Sequence, residues 1–152
     1  MLYSTTTQYA IRGLAELASH LHPAGKPARK SVMLDQLIPA TGLPREFLSK
    51  VFQQLVKAGI LTSTKGRGGG FSLARPTHEI SLFQIMSAIE GPAECDRCVV
   101  GLNECTDATA CPQHDLFKPI RQRLKDYLQT TTLADMAASM RGHAKAEARS
   151  SK

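Results

Sequence analysis

Four residues, Thr41-Gly42-Leu43-Pro44, separate two stretches whose apolar residues recur at helical spacing. Beyond the turn, Phe47, Leu48, Val51, Phe52, Leu55 and Val56 form a continuous i, i+3/i+4 stripe. That pattern marks an amphipathic helix with one buried face. Pro44 suits its first position, where a missing N–H costs nothing, and Gly59 stands where a C-terminal cap belongs. Before the turn, Leu34 to Thr41 is short and apolar. Pro39 within it predicts a short or kinked helix, because proline removes a donor and clashes one turn back. Two helices across so tight a turn read as a helix-turn-helix.

The next segment narrows the fold. Ile60 to Ala74 holds two short β-type runs around Lys65-Gly66-Arg67-Gly68-Gly69-Gly70. A glycine-rich hairpin directly after the second helix reads as a wing, because glycine admits positive φ and close backbone approach. The plainer alternative is a flexible hairpin with solvated charges. A phosphate-binding P-loop is disfavoured, since G-x-x-x-x-G-K-[ST] is missing. Upstream, Ile11, Leu14, Leu17, Ala18 and Leu21 predict a helix from about Thr6 to Leu21, with Thr5 and Gln8 at capping-box spacing. A basic loop, His22 to Ser31, follows it. Downstream, Ser81-x-x-Gln84 opens a helix that buries Leu82, Ile85, Met86 and Ile89 and stops at Gly91-Pro92. The expected fold is mainly α with a small β-hairpin wing: a winged helix-turn-helix domain over residues 1–91.

From about Pro112 the pattern turns helical again. Leu116, Phe117, Ile120, Leu124, Tyr127 and Leu128 sit near 3.5 spacing. A small winged domain has little surface left to cover such a helix, so residues 112–140 are expected to form a dimerisation helix and a short terminal helix opening at Thr132. The polar tail 141–152 is expected to be disordered.

Net charge is +6 and the pI is about 9.4, a balance suited to a polyanionic partner. The exposed side of the second helix carries Arg45, Glu46, Ser49, Lys50, Gln53 and Lys57, and the wing carries Lys65 and Arg67. In the helix-turn-helix arrangement the helix enters a major groove and a wing arginine can reach a minor groove. The expected partner is double-stranded DNA, with a second copy of the chain setting a pseudo-palindromic site. No apolar run approaches the ~18 residues of a membrane span, and the N-terminus lacks the charged-then-apolar order of a signal peptide. A cytoplasmic protein with reduced thiols is expected, with neither a membrane nor a small-molecule substrate as partner.

All four cysteines fall between Glu94 and His114: Cys95-x2-Cys98-x6-Cys105-x5-Cys111, then His114. Clustering in a polar loop argues against inert cysteines, which are usually scattered through cores. Four thiolates can hold an iron–sulfur cluster or a tetrahedral zinc. Zinc sites usually pair two C-x2-C knuckles, and the second pair here is x5. Reversible disulfide chemistry is a third possibility. A thiol hydrolase with Cys111 as nucleophile and His114 as base lacks an orienting third group and a substrate pocket, so no enzyme is expected.

Three features together resemble the bacterial winged-helix regulators that include IscR, NsrR and RirA, the Rrf-two family. They are the opening Thr5-x-x-x-Tyr9-Ala10-Ile11-Arg12, the wing KGRGGGF, and a cysteine loop before a long helix; ISLFQIMSAIEG also matches. The resemblance covers about residues 1–140. It implies a homodimeric transcription regulator, in the main a repressor. A two-iron or four-iron cluster in the loop 92–114 would control operator affinity in response to iron, redox or nitric oxide status. By resemblance the cluster ligands fall on Cys98, Cys105 and Cys111, with His114 or Cys95 as the fourth. Another mode of the family uses a carboxylate near the partner's N-terminus; Gln8 occupies that position here and is a poor anionic ligand. His114 also reads as a surface residue at a helix start.

Overall fold

The structure is a computed structural model that describes residues 3–22, 28–92, 94–102 and 105–150, with backbone alone at 109 and 143–150. Part of the expected basic loop, 23–27, lies outside the described residues. Helix α1 spans Thr5–Leu21, α2 Ile38–Thr41, α3 Arg45–Lys57, α4 Leu82–Glu90, α5 His114–Thr130 and α6 Leu133–Ser150. One antiparallel hairpin, β1 Leu61–Thr64 and β2 Gly70–Leu73, pairs Leu61 with Leu73 and Thr64 with Gly70. The molecule is mainly helical with a two-strand wing, as its sequence pattern predicts.

Helix α1 is central. Ala10, Leu14 and Leu17 are fully buried along it, and α3, α4 and α6 all pack on it. Gly13 lets α3 come close: a Cβ there would stand 2.9 Å from Phe52 Cε1. The expected capping box at Thr5 and Gln8 does not form. Ser4 is the N-cap, its hydroxyl accepting the Thr7 N–H at 3.1 Å, and the Gln8 side-chain amide donates to the Tyr3 carbonyl. The shift has a distant cause. The Glu90 carboxylate, at the end of α4, accepts from the Ser4 N–H at 3.0 Å and from the Thr7 hydroxyl. An anionic group at a helix N-terminus is favoured by its unpaired N–H groups and dipole.

Pro39 causes no kink. Leu34–Gln36 form a short 3-10 turn, and Pro39 sits in the first turn of α2, where no N–H is needed. Gly42 then takes φ +65, the left-handed conformation that closes α2 and turns the chain toward α3. Pro44 is the residue before α3 rather than its first. Paired bonds from Gly59 N–H to Val56 and from Ile60 N–H to Leu55 close α3 as a Schellman cap. The capping box of Ser81 and Gln84 forms as the spacing predicts, with both bonds present.

The stripe on α5 divides. Leu128 is fully buried and Leu124 packs against the core, while Leu116 and Ile120 are 70% and 57% exposed. Backbone bonds from Leu82 N–H to Thr131 and from Leu133 N–H to Ile80 tie the α5–α6 connection to the start of α4. Thr132 and Asp135 cap α6 reciprocally. Helix α6 is longer than the short element expected and runs on through 141–150 to Ser150. Its alanines and long-chain charged residues are strong helix formers, so polarity there does not prevent helix.

Candidate functional site

Helix α3 buries Leu48, Val51, Phe52 and Leu55. Its other side presents Arg45, Glu46, Lys50, Gln53 and Lys57 to solvent, with Ser49 half-buried. Arg45 is not free: its Nε donates to Asp35 Oδ1 at 2.7 Å, across the turn. Arg12 reaches over the same turn to the Thr41 carbonyl at 2.9 Å. Lys50, Gln53 and Lys57 line a shallow depression with Thr6 and Phe47.

The wing is strapped to the body. Val32 and Phe71 exchange backbone bonds of 2.8 and 2.9 Å, and the Ser31 hydroxyl donates to the Gly68 carbonyl at 2.8 Å. The Phe71 ring meets Phe52 edge-on at 5.1 Å, so the hairpin rests on the core beneath α3. Gly70 lies at φ +146, and a Cβ there would fall 2.4 Å from the Val32 carbonyl oxygen. Only glycine fits that crossing. Lys65 and Arg67 are exposed in the loop beyond it.

The cysteine loop joins α4 to α5, and three of its thiols lie together. Cys98 is 7% exposed. Its sulfur accepts backbone N–H bonds from Val100 and then Leu102, and hydrogen-bonds with Cys111 and Cys105; together these hold its thiol below the ordinary range. Cys105 Sγ lies 3.2 Å from His114 Nδ1. His114 is buried at the start of α5, and its Nε2 lies 2.8 Å from Asp107 Oδ1. A carboxylate can only accept here, so Nε2 is the donor to Asp107, and Nδ1 is the ring nitrogen turned toward the Cys105 thiol. Asp107 also accepts from Lys118 at 2.7 Å, and the hydrogen bonds of Lys118 and then His114 hold its carboxyl below the usual range.

Cys95 stands apart. It belongs to the 3-10 turn Glu94–Asp96, packs against the core, and its thiol is pushed up chiefly by burial. The loop therefore groups Cys98, Cys105, Cys111 and His114 and leaves Cys95 out. All four thiols are free. Among the described residues no three such side chains form a closed metal-ion geometry; the thiols hydrogen-bond with one another instead of converging on one point. The expected lack of an orienting group for His114 does not hold, since Asp107 supplies one, but the thiol it faces is Cys105 and not Cys111.

Several residues that build the site gave no motif. Asp107 lies in a loop without periodicity, so only the fold reveals it. Lys118, Arg121 and Lys125 follow His114 at i+4, i+7 and i+11, one stripe of α5. Each holds the loop: Lys118 to Asp107, Arg121 to the Arg97 carbonyl, Lys125 to Asp96. That spacing was visible in the sequence; its partners were not.

A family model described as "Rrf2: Iron-dependent Transcriptional regulator" matches residues 3–139. The chain belongs to the Rrf2 family. It is a transcriptional regulator, not an enzyme, and regulators of this family bind DNA. The IscR regulator of Vibrio campbellii is 27% identical over 136 residues, covering 90% of this chain and 77% of that protein. Among solved structures, CymR, the global cysteine regulator of B. subtilis, superposes with a TM-score of 0.72 at 26% identity, over 90% of this chain and 95% of that one. IscR of T. potens gives 0.66 at 25% identity, over 90% and 86%. The oxidized form of Staphylococcus aureus CymR also gives 0.66 at 25%, over 90% and 96%. No described helix is long and apolar enough to cross a membrane.

Proposed function

We propose that this regulator binds a pseudo-palindromic operator as a homodimer and that an iron–sulfur cluster on Cys98, Cys105, Cys111 and His114 sets its affinity. The observation that carries the cluster reading is the grouping of Cys98, Cys105 and Cys111, with Cys105 against the ring of a buried, carboxylate-oriented histidine. A carboxylate on the outer ring nitrogen orients a metal-bound histidine in this way, and Cys98 already has N–H donors suited to a thiolate. The donor set thus fits the group, and His114 fits better than Cys95 as fourth ligand. Such a cluster supplies a centre that iron supply, oxidants or nitric oxide can add or remove.

The chain's own residues carry the consequence. The loop is held along α5, α5 packs on α4, and α4 packs on α3. A ligand that favours one loop arrangement shifts the arrangement of α3 only by its differential affinity for the two. Two recognition helices must meet half-sites about one DNA turn apart, so a small change in their spacing costs affinity. The exposed apolar residues Leu116, Ile120 and Tyr127 on α5 are the proposed dimer contact. Residues 1–91, 92–114 and 112–140 are the proposed DNA-binding, cluster-binding and dimerisation units, with repression the proposed mode. Arg45, Glu46, Ser49, Lys50 and Lys57 on α3, with Lys65 and Arg67 on the wing, are the proposed DNA contacts.

A cluster-free thiol switch, or a structural zinc on the same donors, is the second reading. The free, mutually hydrogen-bonded thiols favour the switch, as does the likeness to Staphylococcus aureus CymR, solved in an oxidized form. Selection of operator DNA from a random pool, followed by titration of loaded and metal-free protein, tests the proposal. We expect a two-fold-related site and unequal affinities. Equal affinities would remove the cluster's role, and an asymmetric single site would remove the dimer's.

A further inference from the structure

Among the described residues, Arg121 is a buried cation without a counter-anion. It is 8% exposed, in the middle of α5. Its Nη2 donates to the Arg97 carbonyl at 3.2 Å, its guanidinium lies 5.3 Å from the centre of the Phe117 ring, and its Nε has no partner. Three described carboxylates of the loop are engaged elsewhere. Glu94 pairs with Arg97, Asp96 with Lys125, and Asp107 with Lys118 and His114. Burying an uncompensated charge is strongly unfavourable unless an opposite charge or fixed dipoles offset it. An arginine kept in that state marks a place where negative charge is expected. The one polar anchor it has is the carbonyl of the residue directly before Cys98.

We infer that Arg121 is a positioning residue that supplies the built-in positive charge for an anionic, thiolate-bound centre at Cys98, Cys105 and Cys111. The inference rests on the cluster reading for the identity of that centre, but not for its charge. Three thiolates outweigh the dipositive core of an oxidised cluster, and equally a zinc ion, so either occupant leaves the site negative. Reduction of a cluster makes it more negative still. A fixed cation nearby therefore favours the reduced form and raises the midpoint potential. It opposes a disulfide, which would leave the charge uncompensated.

The test compares the full chain with Arg121→Gln, which keeps an N–H donor for the Arg97 carbonyl but drops the charge, and with Arg121→Lys, which keeps the charge and loses the planar fork. Each is reconstituted anaerobically with iron and sulfide and its midpoint potential taken by dye-mediated titration. Zinc affinity of the metal-free chains is measured in parallel by competition with a chromophoric chelator. Arg121→Gln should lower the potential and weaken zinc by roughly tenfold or more, the effect expected of an outer-shell partner. Arg121→Lys should stay near the parent in both, whatever its melting temperature. Equal potentials and zinc affinities in all three chains would overturn the inference, as would equal losses in both variants, which mark a purely structural role. A variant that does not fold leaves the other to be compared with the parent: the Lys form must match it, the Gln form must not. If the parent chain takes up zinc but no iron or sulfide, the cluster reading fails and the zinc series decides Arg121. If it binds neither, both fall.

Discussion

Phe52 and Cys98 are both shut away from water, but by different means. Phe52 is enclosed by apolar side chains from α1, α3 and the wing, with Gly13 on one side and Phe71 on the other. Cys98 is enclosed by a loop that contributes few apolar residues and whose exposed Val99, Val100 and Leu102 face outward. Backbone N–H groups, other thiols and a row of cations on α5 hold it. The first environment is stable by itself. The second is held by polar contacts that each contribute little in water, so an occupant that binds several donors at once can change it. Difference in support, not in burial, separates the scaffold from the proposed switch.

That contrast can be broken from either side, beginning where the effect is largest. Phe52→Ala should cost the metal-free protein about 3–5 kcal/mol and abolish operator binding, seen as a large loss in a urea melt. Gly70→Ala should cost about 1–3 kcal/mol through strain at its positive φ and weaken DNA binding by displacing the wing; an unchanged melt would show that the Val32 strap yields. Ser81→Ala removes the cap of α4 and should cost about 1 kcal/mol with little effect on metal content. Cys98→Ser should cost the metal-free protein about 1 kcal/mol or less and yet eliminate bound iron. A Cys98→Ser protein that unfolds as readily as Phe52→Ala would erase the distinction. On the DNA side, Lys50→Ala should reduce the salt slope of operator binding by about 1 if its contact is to phosphate. Undiminished binding of both Lys50→Ala and Arg45→Ala would remove those residues from the interface.

The two regions also differ in how far the sequence discloses them. The stripes of α1, α3 and α4, the Ser81 box and the wing glycines are local patterns, and all take their expected places. The departures have two causes, a distant residue and a local propensity that outweighs polarity. The start of α1 moves to Ser4 because Glu90, far along the chain, completes its cap. Helix α6 runs past Arg141 to Ser150 because alanine outweighs polarity in setting propensity. In the candidate site, the cysteine cluster stands out by spacing and His114 by family resemblance, but Cys95 is set apart only by its turn against the core. Asp107 and Arg121 take their meaning from what they touch, and no spacing reports that.

The most direct test of the central claim is the iron, acid-labile sulfide and zinc content of the protein purified without oxygen, read with its visible spectrum. The account predicts iron and sulfide in equal amounts with a brown chromophore, lost in Cys98→Ser and in His114→Ala but kept in Cys95→Ser. Zinc alone, or no metal at all, would contradict it.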